Sequence, residues 1–149
     1  MKILKSSPTG HLKGIKHSFH KPTPAQEATF NKLKYLFRKF EDKFQVTNKP
    51  LWNYELWTMW GYRTKSNHPQ DVKSVLFASL TIYEKHISLY YYPIYLDKSL
   101  SDHLPEALTP MLSGKSTFHI TNLTDDASLA LNKLIENGIE SYKRLHLVR

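Results

Sequence analysis

Apolar residues follow two spacings along this chain, and the change from one to the other marks out its elements. Thr23-Pro24-Ala25-Gln26 combines an N-cap hydroxyl, proline at the first helical position and glutamine at the third, a capping box that predicts a helix start. Leu33, Leu36, Phe37, Phe40 and Phe44 then recur every three or four residues, with Lys32, Lys34, Arg38, Lys39 and Lys43 mostly on the complementary face. Asn48-Lys49-Pro50 is the expected stop. From Trp52 to Arg63 the residues prefer strand, with a bend or bulge expected at Gly61. Residues 64–71 read as a polar loop. Val72 to Tyr83 alternates: Leu76, Ala78, Leu80 and Ile82 are expected on one side, Phe77, Ser79, Thr81 and Tyr83 on the other.

Glu84-Lys85 predicts a tight connection into a third strand. There Ile87, Leu89 and Tyr91 face inward, His86, Ser88, Tyr90 and Tyr92 outward, and Pro93 ends the ladder. Pro105 and Pro110 restrict residues 96–113 to short helical pieces, with Gly114 expected to cap them. Ser116 to Thr121 is a short strand with Phe118 and Ile120 toward the core and Thr117, His119 and Thr121 away from it. Thr124 or Asp125 caps a last helix whose Ala127, Leu131, Leu134, Ile135, Ile139 and Tyr142 form one stripe. Gly138 within it suggests close packing. The predicted fold is α+β: a two-layer sandwich with an antiparallel sheet of four or more strands and the N- and C-terminal helices packed on one face.

Composition changes this picture in two places. The chain has 149 residues and a formal charge of +8, of which residues 1–22 contribute +5 through Lys2, Lys5, Lys13, Lys16 and Lys21 with no acid. Two parts are therefore expected, a flexible basic arm over 1–22 and one α+β domain over 23–149. The arm is where nucleic acid or an acidic partner would be met, against the plainer reading of a solvated terminus. The absence of cysteine excludes thiolate catalysis, disulfides and Cys-based metal sites, and fits a cytoplasmic location. No apolar run predicts a membrane span or a secretory signal, so no membrane partner is expected.

The segment Lys85 to Tyr95, followed by Gly114-Lys115-Ser116-Thr117-Phe118 and the capped helix ending near Tyr142-Lys143, resembles the YdhG-like domains of unknown function. Their strand reads roughly K-x-Y-V-S-F-H-x-x-P-V-Y, with G-K-S-C-F-N-F later. The likeness spans about residues 25–146, and Ser88, Pro93, Tyr95, Gly114, Lys115, Ser116 and Phe118 fit it. Tyr90 stands where that family usually has His, Thr117 where it has Cys, and His119 where it has Asn. The resemblance implies a frataxin-like sandwich and, for some members, iron chaperoning. Iron binding of that kind uses an acidic ridge on the first helix and strand, whereas here Glu27, Glu41 and Asp42 sit among Lys32, Lys34 and their basic neighbours.

Gly114-Lys115-Ser116 is not a P-loop: Thr109 occupies the position of the required glycine, and a strand follows where phosphate binding needs a helix. Lys115 and Ser116 at a strand entrance can still donate to a small anion, against the plainer reading of a simple turn. The eight histidines show no metal-ligating spacing, so no metal is assigned. His86 and His119 meet only if their strands are neighbours. The outer sheet face, with Phe77, Ser79, Thr81, Ser88, Tyr90, Tyr92, Thr117 and His119, mixes aromatic bodies with polar tips and suits a groove or partner surface. A cover of residues 96–113 or the basic arm would make it merely structural. No nucleophile, base and acid set appears. The expectation is a non-enzymatic domain without cofactor that binds a small polar or anionic ligand or a protein through Ser88, Tyr90, Lys115, Ser116 and His119. A frataxin-like iron-binding chaperone is the alternative.

Overall fold

The computed structural model describes residues 21–63 and 72–149. The predicted loop over 64–71 and all but the end of the predicted basic arm lie outside the described residues. Helix α1 spans Pro24–Arg38 and starts as the capping box requires: the Gln26 amide donates to Thr23 Oγ1 at 3.1 Å and the Thr23 amide to Gln26 Oε1 at 3.0 Å. Gln26 Nε2 also donates to the Tyr83 carbonyl at 2.8 Å, which pins the helix start to the turn after the third strand. Phe30, Leu33 and Phe37 are its buried stripe.

The helix ends earlier than its apolar period predicts. Residues Glu41–Lys43 form a single 3-10 turn, and Phe44 opens strand β1, Phe44–Thr47. Two tertiary contacts override the helical spacing there. The Tyr54 hydroxyl donates to Glu41 Oε2 at 2.6 Å, and the Phe44 ring stacks on Phe77 at 4.8 Å. Burial and the Glu41 carboxylate together push the Tyr54 hydroxyl far above its ordinary pKa, so it stays a donor.

Strands β2 (Asn53–Arg63), β3 (Val72–Ile82), β4 (Ile87–Tyr91), β5 (Leu112–Ser113) and β6 (Thr117–Ile120) complete a six-stranded antiparallel sheet in the order β1-β2-β3-β4-β6-β5. Helix α4, Asp125–Arg144, lies with α1 over one face. Thr124 caps it, accepting from the Ala127 amide at 3.1 Å, while Asp125 and Asp126 occupy its positive end. Leu131, Leu134, Ile135, Ile139 and Tyr142 are buried on the stripe the sequence predicts.

Close packing at Gly138 is realised against Tyr91. A Cβ at Gly138 would lie 1.8 Å from Tyr91 Oη, and that hydroxyl donates to the Leu134 carbonyl at 2.8 Å. At Gly61 a Cβ would fall 1.5 Å from the Lys73 carbonyl oxygen, where the β2–β3 register is irregular.

The alternation predicted for β3 breaks at Phe77, and Leu76, paired with Trp57, falls on the side opposite Ala78 and Leu80, which it was expected to join. Leu56 pairs with Ala78 but Trp57 pairs with Leu76, so Phe77 is an inserted residue with no partner on β2. The Val75 amide turns instead to Thr58 Oγ1 at 2.8 Å. Phe77 consequently points into the helix layer, its ring 6.3 Å from Phe37, 5.4 Å from Tyr91 and 5.0 Å from Tyr142. Its expected place beside Ser79 and Thr81 on the outer face is corrected.

After β4, Pro93–Leu96 (α2) and Lys98–Asp102 (α3) lead to a 3-10 segment, Glu106–Met111. Asp97 ties this stretch to α4, accepting from Ser141 Oγ at 2.8 Å and pairing with Arg144 at 3.1 Å. The segment that was a candidate cover for the outer face therefore packs with the helix layer. Gly114, at φ 79°, turns β5 into β6 and does not cap a helix.

Candidate functional site

Directly paired residues of an antiparallel sheet project to the same side, so the register assembles the face away from the helices without further assumption. One cross-strand row runs Asn53, Thr81, Ser88, His119. Thr81 Oγ1 donates to Asn53 Oδ1 at 3.0 Å within it. The next row runs Thr47, Glu55, Ser79, Tyr90, Thr117, Ser113. Every member of both rows carries a polar atom. Glu55 is 5% exposed and Ser79 2%, while Tyr90 and Thr117 are half-buried and Ser113 and His119 open to solvent. Trp57 Nε1 donates to Glu55 Oε1 at 2.9 Å, which satisfies part of a carboxylate that burial alone would penalise.

Rings flank these rows in two stacks. Tyr83, His86 and His119 form one, with centroids 5.2 Å and 4.0 Å apart and planes within 27° of parallel. Tyr90, Tyr92 and Tyr95 form the other, at 6.1 Å and 5.2 Å. The Lys115 ammonium closes the second stack, 5.0 Å from the centre of the Tyr95 ring. Burial raises the pKa of the Tyr83 hydroxyl. Burial, and then the neighbouring His119, lowers that of His86 and favours its neutral form.

Four of the five residues singled out from the sequence converge. Ser88, Tyr90 and His119 share the face in adjacent rows, and Lys115 stands at the Tyr90 end, above Tyr95. Ser116 does not join them. Its carbonyl accepts the Tyr91 amide at 2.8 Å and extends the β4–β6 ladder by one residue. That register puts the Ser116 side chain on Tyr91's side of the sheet, where it is 5% exposed. The strand parity that places Thr117 outward necessarily turns Ser116 inward.

The register adds two residues to these rows, Asn53 and Glu55, both buried. They lie at alternate positions in a segment whose tryptophans and tyrosines dominate its reading, and their period-two spacing was the available signal. His86 and His119 are brought into contact because β4 and β6 are neighbours.

A cavity of about 370 Å³ lies on the helix side between α3 and α4, floored by Leu100 and Leu134. Two of its charged groups are already engaged, Arg144 with Asp97 at 3.1 Å and Glu140 with Lys143 at 3.2 Å. Among the described residues no cluster of three or more His, Asp or Glu side chains is placed to hold a metal ion, and no helix is long and apolar enough to cross a membrane. No family model, curated protein or solved structure matches this chain.

Proposed function

We propose that this chain is a non-enzymatic binding domain whose outer sheet face holds a small polar or anionic ligand or a polar segment of a protein partner. One observation carries the reading: Ser88, Tyr90, Thr117 and His119 project together from adjacent strands, with the Lys115 ammonium at the end of the face. Hydroxyl and imidazole groups on rigid strands supply directional hydrogen bonds, aromatic bodies supply contact area at low entropy cost, and one cation supplies preference for negative charge. Ser88 stands opposite His119, but no hydrogen bond joins the hydroxyl to the imidazole, so the set holds no activated nucleophile.

A ligand screen by thermal shift on the full chain tests the reading, with Tyr90→Ala and Lys115→Ala run beside the unaltered protein. A compound that stabilises the unaltered protein is expected to lose its effect in both variants. Equal stabilisation of all three proteins would place binding elsewhere. The YdhG-like resemblance keeps a frataxin-like iron-binding chaperone as the alternative, for which anaerobic calorimetry with ferrous iron is decisive: saturable binding that survives both substitutions would favour it.

A further inference from the structure

The Tyr83–His86–His119 stack sits at the other end of the face from Lys115, and nothing in the ligand reading requires two imidazoles in contact. We propose that His86 and His119 form a two-imidazole chelate for a late first-row divalent cation such as zinc, copper or nickel. Ser88 stands directly opposite His119, so His86 is His119's diagonal cross-strand neighbour. That spacing lets aromatic side chains on antiparallel strands reach one another while the sheet fixes both backbones. Their rings lie with centroids 4.0 Å apart.

A tetrahedral ion with metal–nitrogen bonds of about 2.0–2.1 Å needs its two donor nitrogens roughly 3.3 Å apart. The rings are stacked within 27° of parallel, so holding one ion requires each to turn about its side-chain torsions until a nitrogen of each faces the same point. Tyr83 stacks on His86 at 5.2 Å, a contact that His86 exchanges for the ion when it turns. His119 is exposed, so water can complete the coordination from the solvent side. Imidazole donors without a carboxylate partner select zinc, copper and nickel over the hard cations magnesium and calcium. This also separates the site from a carboxylate-based iron site.

Calorimetry with zinc chloride tests the proposal on the full-length chain carrying His11→Ala, His17→Ala and His20→Ala, which removes the other imidazoles that precede α1. The expected result is one saturable site. His86→Ala and His119→Ala should each weaken it by about tenfold or more, because either change converts a chelate into a single ligand. The double variant, with neither imidazole left, should lose the residual binding as well. The imidazole proton resonances of His86 and His119 should shift with zinc while those of His103 stay in place. Tyr90→Ala and Lys115→Ala should leave zinc affinity unchanged, which keeps this test separate from that of the ligand reading. No saturable binding, full affinity in either His variant, or a loss in the Tyr90 or Lys115 variants would overturn the assignment.

Discussion

The two faces of the one sheet are built to different rules. On the helix side Leu56, Ala78, Leu80, Leu89, Tyr91, Phe118 and Ile120 meet the stripes of α1 and α4, and all are buried. On the other side the same strands present Asn53, Glu55, Ser79, Thr81, Ser88, Tyr90, Thr117 and His119. Identical backbones with opposite parity thus divide the work. The first face is decided by volume, since a dense interior tolerates neither voids nor extra atoms. The second is decided by polar chemistry, because its side chains end in donors and acceptors whose partners set what it holds. Substitutions should therefore read out as stability on one face and as binding on the other.

The sharpest way to break this division is at Phe77, the residue whose neighbours on the strand suggest the polar face and whose contacts lie on the apolar one. Its ring meets Phe37, Phe44, Tyr91 and Tyr142. Phe77→Ala should cost about 3–5 kcal/mol in urea unfolding, as expected for removal of a fully buried aromatic ring. A loss below about 1 kcal/mol would return Phe77 to the outer face. Next in size is Gly138→Ala, whose added methyl would lie 1.8 Å from Tyr91 Oη and 2.8 Å from its Cζ. The expected loss is about 1–3 kcal/mol from overpacking. Tyr91→Phe deletes the nearer of those atoms and should recover part of it, a coupling that a double-mutant cycle measures directly. Additive losses would mean that the two side chains do not meet.

What could be read from the sequence divides along the same line. The capping box at Thr23, the stripe of α4, the alternation of β4 and the close packing at Gly138 all follow from local rules, and each is present. Strand parity alone placed Ser88, Tyr90 and His119 on a common face. The misreadings share a cause, which is that long-range contacts override local period. Phe44 continues the helical spacing of α1 but is drawn into β1 by Phe77. Phe77 continues the alternation of β3 but is displaced by a bulge that only the pairing with β2 defines. Ser116 is the exception, because it opens the strand whose alternation already sets it on the side of Phe118, and its place in the Gly-Lys-Ser turn motif hid that parity. The stack of His86 on His119 needed the order of strands in the sheet, which no spacing within the chain encodes.

Asp97 tests the edge of the apolar side, where a polar knot fastens the segment after β4 to α4. The Ser99 hydroxyl, at 2.6 Å, is the largest influence holding the Asp97 carboxyl below its ordinary pKa, joined by Ser141, the Ser99 amide and Arg144 and opposed by partial burial. A carboxyl depressed in the folded state contributes stability that is present above its unfolded pKa of about 3.9 and is lost as the pH falls through its folded value. Asp97→Ala should therefore lower stability near neutrality by about 1 kcal/mol, and its deficit should shrink on acidification below about pH 4. A deficit that stays constant down to pH 2 would show that charge has no part in the fastening.

The smallest effect on folding is expected at Ser88, and it sharpens the comparison most. Ser88 lies between Thr81 and His119 in the first polar row, half-buried, with its side chain on the outer face. Removing its hydroxyl opens no cavity in the core, so Ser88→Ala should change unfolding free energy by no more than about 0.5 kcal/mol. Its counterpart one residue along the strand, Leu89→Ala, removes a fully buried side chain and should cost about 2–5 kcal/mol. Two adjacent truncations on one strand thus separate the roles of the two faces. If Ser88→Ala proved as damaging as Leu89→Ala, the hydroxyl would be a structural tie, and the row it belongs to would be a second interior and no longer a surface for binding.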